Sequence, residues 1–274
     1  MKPSQLVIIT DLDGTLLDQK TYSYKASLPV IEKLKSLRIP LILCSSKTQS
    51  EIVFLWQELG LKDPFISENG GAIYLLPNYF SFSIQGLEFI DGWAVITFGT
   101  KVSALRRTLT AAAKRSCVRI RSFGSMGPGE ISELTGLSKE QAALARKREF
   151  DEPFIVEEGG SDCLISTLRA SGMEVIQGGE FFHVTGGHDK GNAVKALLDL
   201  FRRSRPELLT VGLGNSANDL PFLTQVDIAV LVRNIDGSYN HEAGDKIRHI
   251  KRTQKSGTAG WREAVEEILA DVAS

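Results

Sequence analysis

The sequence predicts an α/β protein: a doubly wound, Rossmann-like parallel-sheet core interrupted by an inserted α+β domain. Three observations carry that expectation. Strand and helix patterns alternate from Leu6 to Gly60, the pattern changes between about Gly86 and Gly187, and the alternation returns at Asp189. Such alternation builds parallel sheets whose faces are covered by helices.

The first run, LVIITDLDGTLLD from Leu6 to Asp18, is an apolar strand that stops at two carboxylates, Asp11 and Asp13. In SLPVIEKLKSLR, Ser27 stands at the N-cap position, Pro29 in the first turn, and Val30, Ile31, Leu34 and Leu37 at helical spacing. Ile39 to Cys44 reads as the next strand, followed by a helix over TQSEIVFLWQELG that Gly60 closes. PFISENG and AIYLLP form two extended runs around Asn69, Gly70 and Gly71, the layout of a hairpin. The middle block mixes extended runs (WAVITF, CVRIRSF, PFIVEE, MEVIQ, EFFHVT) with helices at VSALRRTLTAAAKR, SKEQAALARKR and SDCLISTLRASG. Ser138 and Gln141 make a capping-box pattern there. In the returning segment, Asp189 caps a helix that Pro206 stops, ELLTVGLG and DIAVLV are strands around the short helix LPFLTQ, and WREAVEEILADVA is a closing amphipathic helix. The division expected is 1–85 and 187–274 for the core and 86–186 for the insert.

Composition narrows the function classes. The 274 residues carry a net charge of −1, which gives no global attraction to nucleic acid or anionic lipid, so an anionic substrate must be held locally. No window approaches the roughly 18 consecutive apolar residues of a membrane span. No N-terminal signal layout is present, and a cytoplasmic location is expected. Cys44, Cys117 and Cys163 lack metal-ligand spacing and read as reduced core residues.

Three polar clusters fall at strand ends: Asp11 with Asp13, Ser45 with Ser46, and GNSAND from Gly214 to Asp219. Ligands of open parallel sheets bind beyond the carboxyl ends of the strands, so the three clusters are expected to converge. Carboxylates at the edge of an apolar core need a compensating cation, and the Gly14–Thr15 turn offers backbone N–H groups to an anion. The chemistry that suits the set is phosphoryl transfer. Asp11 is placed as nucleophile, Asp13 as general acid and base, Ser45 as donor to a phosphoryl oxygen, and Lys190 as the neutralising cation. Mg²⁺ is the expected cofactor, held by Asp11, the carbonyl of Asp13 and the acidic loop. Asn218 can orient a carboxylate there. His183, in an apolar strand without a His or Cys partner at ligand spacing, reads as a core or cleft histidine.

These motifs, DLDGT, Ser45, Lys190 in DKG and GNSAND, resemble the four motifs of the haloacid dehalogenase superfamily, and the insert resembles its type IIB cap. CSSKT, SENGGAI, ARKREFDEPF and GGEFFHVTGGHDKG are similar to the mannosyl-3-phosphoglycerate phosphatase family within it. That resemblance implies Mg²⁺-dependent hydrolysis of mannosyl-3-phosphoglycerate to mannosylglycerate, a compatible solute, with Asn215 and Asp219 completing the metal set. Two positions depart from the family pattern: Asn215 stands where Asp is usual, and Glu180 where Arg is common. Ser46, Lys47, Asn69, Arg148, Glu152 and Asn218 are the expected substrate contacts, with Arg148 gripping a carboxylate and Glu152 accepting sugar hydroxyls. The partner expected is a small phosphorylated sugar or glycoside. A glucosyl-3-phosphoglycerate or other sugar-phosphate phosphatase is the alternative enzyme. A phosphomutase or a non-catalytic phospho-sugar binding module would use the same residues differently.

Overall fold

The computed structural model describes residues 5–178, 181–243, 247 and 249–273; Glu180 lies outside them. Its centre is a nine-stranded sheet. Strands β1 (Leu6–Thr10), β2 (Leu41–Cys44) and β3 (Phe65–Ser67) run parallel with β11 (Leu209–Gly214), β12 (Ile228–Arg233) and β13 (Ile250–Ser256). The order is β13-β12-β11-β1-β2-β3, continued antiparallel by β4 (Ala72–Leu75), β6 (Trp93–Thr97) and β5 (Glu88–Ile90).

Every residue of β1 is buried, as expected for a strand covered on both faces. Leu6 and Ile8 pack with helices α1 (Leu28–Ser36), α2 (Gln49–Glu58) and α9 (Gly257–Ala273), including Trp261 and Val265. Val7 and Ile9 pack on the other side with Leu197, Leu198 and Phe201 of α7 (Lys190–Ser204). This sandwich fixes the end of β1. The indole N–H of Trp261 donates to Thr10 Oγ1 at 3.0 Å, and that hydroxyl donates to the carbonyl of Asp11 at 2.7 Å.

A second, four-stranded antiparallel sheet has the order β7-β8-β10-β9, from β7 (Arg119–Ser122), β8 (Asp151–Glu158), β9 (Glu174–Gly178) and β10 (Phe181–Thr185). Helices α3 (Val102–Arg115) and α6 (Ser161–Ala170) cover one face through Leu105, Leu109, Leu164 and Leu168 against Phe154 and Val184. The short helices α4 (Pro128–Thr135) and α5 (Lys139–Ala145) form a separate cluster with Phe123 and Met126.

Several sequence expectations need correction. WAVITF was expected in the insert, yet β6 pairs with β4, so the large sheet extends through Thr97 and the second sheet's unit begins at α3. Ser27 does not cap α1: its backbone is already helical, and its hydroxyl donates to the carbonyl of Leu16 at 3.3 Å. Only Cys44 is a core cysteine; Cys117 and Cys163 are exposed, and all three are free thiols.

Candidate active site

The carboxyl ends of β1, β2 and β11 are neighbours in the sheet, which brings the three polar clusters to one edge. Asp189 caps α7 by accepting from the Asn192 N–H at 2.7 Å, and this starts the helix with Lys190 facing inward, 1% exposed. Its ammonium donates to Asp11 Oδ1 at 2.7 Å and to Asp219 Oδ1 at 2.6 Å. Thus residues from the first, third and fourth motifs meet in one buried triad.

Asp219 is fully buried, and its other oxygen accepts from the Asn215 and Ser216 N–H groups at 2.9 and 3.0 Å and from the Ser216 hydroxyl. It therefore shapes its own loop. Burial and the neighbouring charge of Asp219 push the Asp11 carboxyl up to about 7, against the pull of Lys190. Burial disfavours the Lys190 ammonium, but the two carboxylates overcome it and raise its pKa above the ordinary lysine value.

Asp13 is more open. Its Oδ2 pairs with Lys47 Nζ at 3.1 Å, while its Oδ1 is buried with no partner. Gly14 has φ of +76°, and a Cβ there would lie 2.7 Å from the Asn215 amide nitrogen, so glycine lets the fourth-motif loop close against the first. Thr15 Oγ1 donates to Asn215 Oδ1 at 3.1 Å, and the Asn215 amide donates to Asn234 at 2.9 Å.

One strand over, the backbone N–H of Lys47 donates to Ser45 Oγ at 3.2 Å, which leaves the hydroxyl proton of the buried Ser45 available. Asn69, with φ of +56°, accepts from Asn218 at 2.9 Å and ties the β3 loop to the fourth motif.

The structure gives two expected substrate contacts other partners. The Arg148 guanidinium donates to the carbonyls of Ala145 and Ser46 at 2.9 and 2.8 Å and faces Asp151 at 3.4 Å. The chain folds inward after α5, so Arg148 couples the insert to the second-motif loop. Glu152 is fully buried on the α3 side of its sheet. It accepts from Arg106 at 2.9 Å and from the Gly124 N–H at 2.6 Å, so each carboxylate oxygen has a partner within the insert. Ser46 takes part through its carbonyl, held by Arg148.

Glu68 was missed. It is fully buried with φ of +46°, and its carboxylate accepts the N–H groups of Glu149 and Phe150 at 2.9 and 2.7 Å. Its own N–H donates to the Lys47 carbonyl, and its carbonyl lies 2.9 Å from His188 Nε2. The only sequence signal was a charged residue between an apolar strand and Asn-Gly. His183 is half-buried, with Nδ1 2.8 Å from Asp151 Oδ2.

Among the described residues, no three His, Cys, Asp or Glu side chains are arranged to hold a metal. Oxygen donors are nevertheless concentrated here: the Asp11 carboxylate, the backbone carbonyl of Asp13 and the amide oxygen of Asn215, with Asp13 Oδ1 buried and unpartnered on the same loop. Four carboxylates, Asp11, Asp13, Asp219 and Glu51, share the ammonium groups of Lys47 and Lys190. An all-oxygen set with surplus negative charge fits a hard divalent cation.

A sequence profile of haloacid dehalogenase-like hydrolases matches residues 8–83. The chain is 40% identical over 96% of its length to a protein of Methanococcoides burtonii named glucosyl-3-phosphoglycerate/mannosyl-3-phosphoglycerate phosphatase, covering 97% of that protein. A protein of the same name from Persephonella marina is 36% identical over 97% of this chain and 98% of its own. The chain belongs to the haloacid dehalogenase-like hydrolases. It is a phosphoric monoester hydrolase of that family. The fold agrees: the crystal structure of a Thermoplasma acidophilum protein superposes with a TM-score of 0.67 at 18% identity, over 96% of this chain and 97% of that one. For this haloacid dehalogenase-like hydrolase, no described helix is long and apolar enough to cross a membrane.

Proposed function

We propose that the protein releases phosphate from glycosyl-3-phosphoglycerates, mannosyl and glucosyl alike, through an aspartyl-phosphate on Asp11. The observation that carries the reading is the single ammonium of Lys190 between Asp11 and Asp219, with Asp13 two residues from the nucleophile. The dual name of the relatives supports both sugars.

Lys190 holds Oδ1 of Asp11, which leaves Oδ2 to attack phosphorus. As the new bond forms, the ester P–O bond breaks and Asp13 gives its proton to the departing alkoxide. Asp13 then takes a proton from water as the water attacks the acyl-phosphate, and free phosphate leaves. Throughout, Lys190 offsets the charge of the nucleophile and phosphoryl group, and Ser45 donates to a phosphoryl oxygen. Lys47 orients Asp13 through Oδ2, which leaves the unpartnered Oδ1 to carry the proton. Asn69 and Asn218, bonded to each other, line the approach to the phosphoryl group. Asp11, the Asp13 carbonyl and Asn215 would hold Mg²⁺, with Asp219 setting the loop; when bound, the ion reduces the repulsion between anionic nucleophile and anionic ester.

Phosphate release from mannosyl- and glucosyl-3-phosphoglycerate, with and without Mg²⁺, tests this. Activity on both that needs Mg²⁺ and vanishes in Asp11→Asn is expected. Wild-type turnover by Asp11→Asn would exclude the nucleophile, and stoichiometric binding without release would favour a binding module.

A further inference from the structure

We infer that the cleft between the Tyr22 loop and α5 seats the sugar ring of the substrate. This rests on the phosphatase reading above and assigns the part of the ester that the catalytic residues do not touch. The cleft, about 240 Å³, lies between residues 17–24 and α2 on one side and Leu137 and α5 on the other. It therefore spans both structural units.

Lys47 joins it to the chemistry. The same ammonium that pairs with Asp13 Oδ2 at 3.1 Å lines the cleft and sits 4.9 Å from the centre of the Tyr22 ring. The leaving oxygen protonated by Asp13 is O3 of the glycerate, so the glycerate passes Lys47 and the sugar on its O2 lies further into this space.

The lining selects among the substrate's parts. Tyr22, Phe54, Leu137 and Leu144 supply apolar and aromatic surface, and Phe54 is 57% exposed. Glu51 and Glu58 supply carboxylates, with Glu58 accepting from the Tyr24 hydroxyl at 3.2 Å. The Lys47 ammonium suits the glycerate carboxylate at the catalytic end; beyond it the carboxylates accept hydroxyl protons and the aromatic faces pack on ring C–H groups. A neutral sugar meets both conditions.

Tyr22 is also held in place against its preference. Its φ is +54°, a conformation in which a non-glycine residue must be kept by its surroundings. Here the Tyr22 N–H donates to the Asp18 carbonyl at 2.9 Å. The Asp18 carboxylate accepts from the N–H groups of Lys20 and Thr21 and from the Thr21 hydroxyl. The loop is organised around the position of that ring.

The test compares kcat/KM for mannosyl-3-phosphoglycerate with kcat/KM for 3-phosphoglycerate, which lacks the sugar. The ratio is expected to fall about tenfold in Tyr22→Ala and in Phe54→Ala, and to be kept in Tyr22→Phe, because ring packing is what is lost. A ratio unmoved in both alanine variants overturns the sugar site. Phe54 is largely exposed, so Phe54→Ala keeps the test valid if Tyr22→Ala does not fold. Saturation-transfer NMR with methyl α-mannopyranoside gives a readout independent of turnover, with transfer in the wild type that Tyr22→Ala abolishes. Transfer without phosphate release from any ester would overturn the phosphatase reading and leave the sugar site. Turnover with neither transfer nor a shifted ratio would overturn the sugar site alone.

Discussion

Lys190 Nζ lies 2.7 Å from Asp11 Oδ1, a buried ion pair joining residues 179 positions apart. The pair is incomplete by itself, because the same ammonium also serves Asp219. Removing one partner of a buried pair strands charge in a poor solvent for it, and here two carboxylates would be stranded. Lys190→Met is therefore expected to lower stability by roughly 3–5 kcal/mol. It is also expected to cut phosphate release at least about 10²-fold. Urea midpoints and turnover measured on the same preparation check both. A variant as stable as the wild type would mean that the triad is not formed in solution.

Asn215→Asp separates metal binding from stability. The change adds a negative charge beside Asp11 and Asp219 and removes the 2.9 Å donation to Asn234. Without metal it is expected to destabilise by about 1–3 kcal/mol. With Mg²⁺ the sign reverses, because a full negative charge binds a hard cation more tightly than an amide oxygen. The half-saturating Mg²⁺ concentration is expected to fall by about tenfold. Thermal midpoints with and without Mg²⁺ read both effects. A midpoint gain on adding Mg²⁺ no larger than that of the wild type would remove Asn215 from the metal set.

The parts of this architecture that announced themselves in the sequence are those whose burial writes a period. β1 is apolar throughout because both its faces are covered, and α7 shows a clear apolar face. The polar clusters were legible because carboxylates at the end of such a strand stand out. β13 was missed: in IKRTQKS only Thr253 is buried, since the strand closes the sheet edge and its charged residues face solvent. β5 is exposed and carries no period, and α4 is short, although Pro128 at its start and Gly136 in the left-handed conformation at its end were signals. Pairing partners do not follow from local sequence at all. For that reason the assignment of Trp93–Thr97 to the large sheet, and the role of Glu68 between three distant segments, emerge only from the fold.

Glu152 offers a sharp contrast between a binding and a packing role. Its carboxylate is occupied by Arg106 and Gly124 on the helix-covered side of the sheet. Glu152→Gln keeps the shape and loses the charge. The expected result is a loss of about 1–3 kcal/mol in stability with KM unmoved within about twofold. An unchanged unfolding midpoint together with a tenfold rise in KM would assign Glu152 to the sugar contact instead.

Glu68 sets a pH dependence whose sign is opposite to that of a surface ion pair. Burial pushes its carboxyl from the ordinary 4.5 up to about 8, with Arg148 and the N–H groups of Phe150 and Glu149 pulling down and Asp151 pushing up. Between these values the folded protein holds a proton that the unfolded chain has released. Stability therefore falls as pH rises from about 4.5 to about 8, by up to ~1.4 kcal/mol per pH unit, and the contribution is complete below the lower value. Asp11, raised to about 7, adds a slope of the same sign over its own range. The informative quantity is thus the difference between wild type and Glu68→Gln. The amide cannot ionise, so the variant is expected to show a flatter loss of stability, measured from urea midpoints at pH 5, 6.5 and 8. It should be the less stable protein at pH 5, because its NH₂ group meets one of the two backbone donors that the carboxyl accepts. Parallel curves for the two proteins would mean that Glu68 stays ionised across the whole range, held by those donors and Arg148.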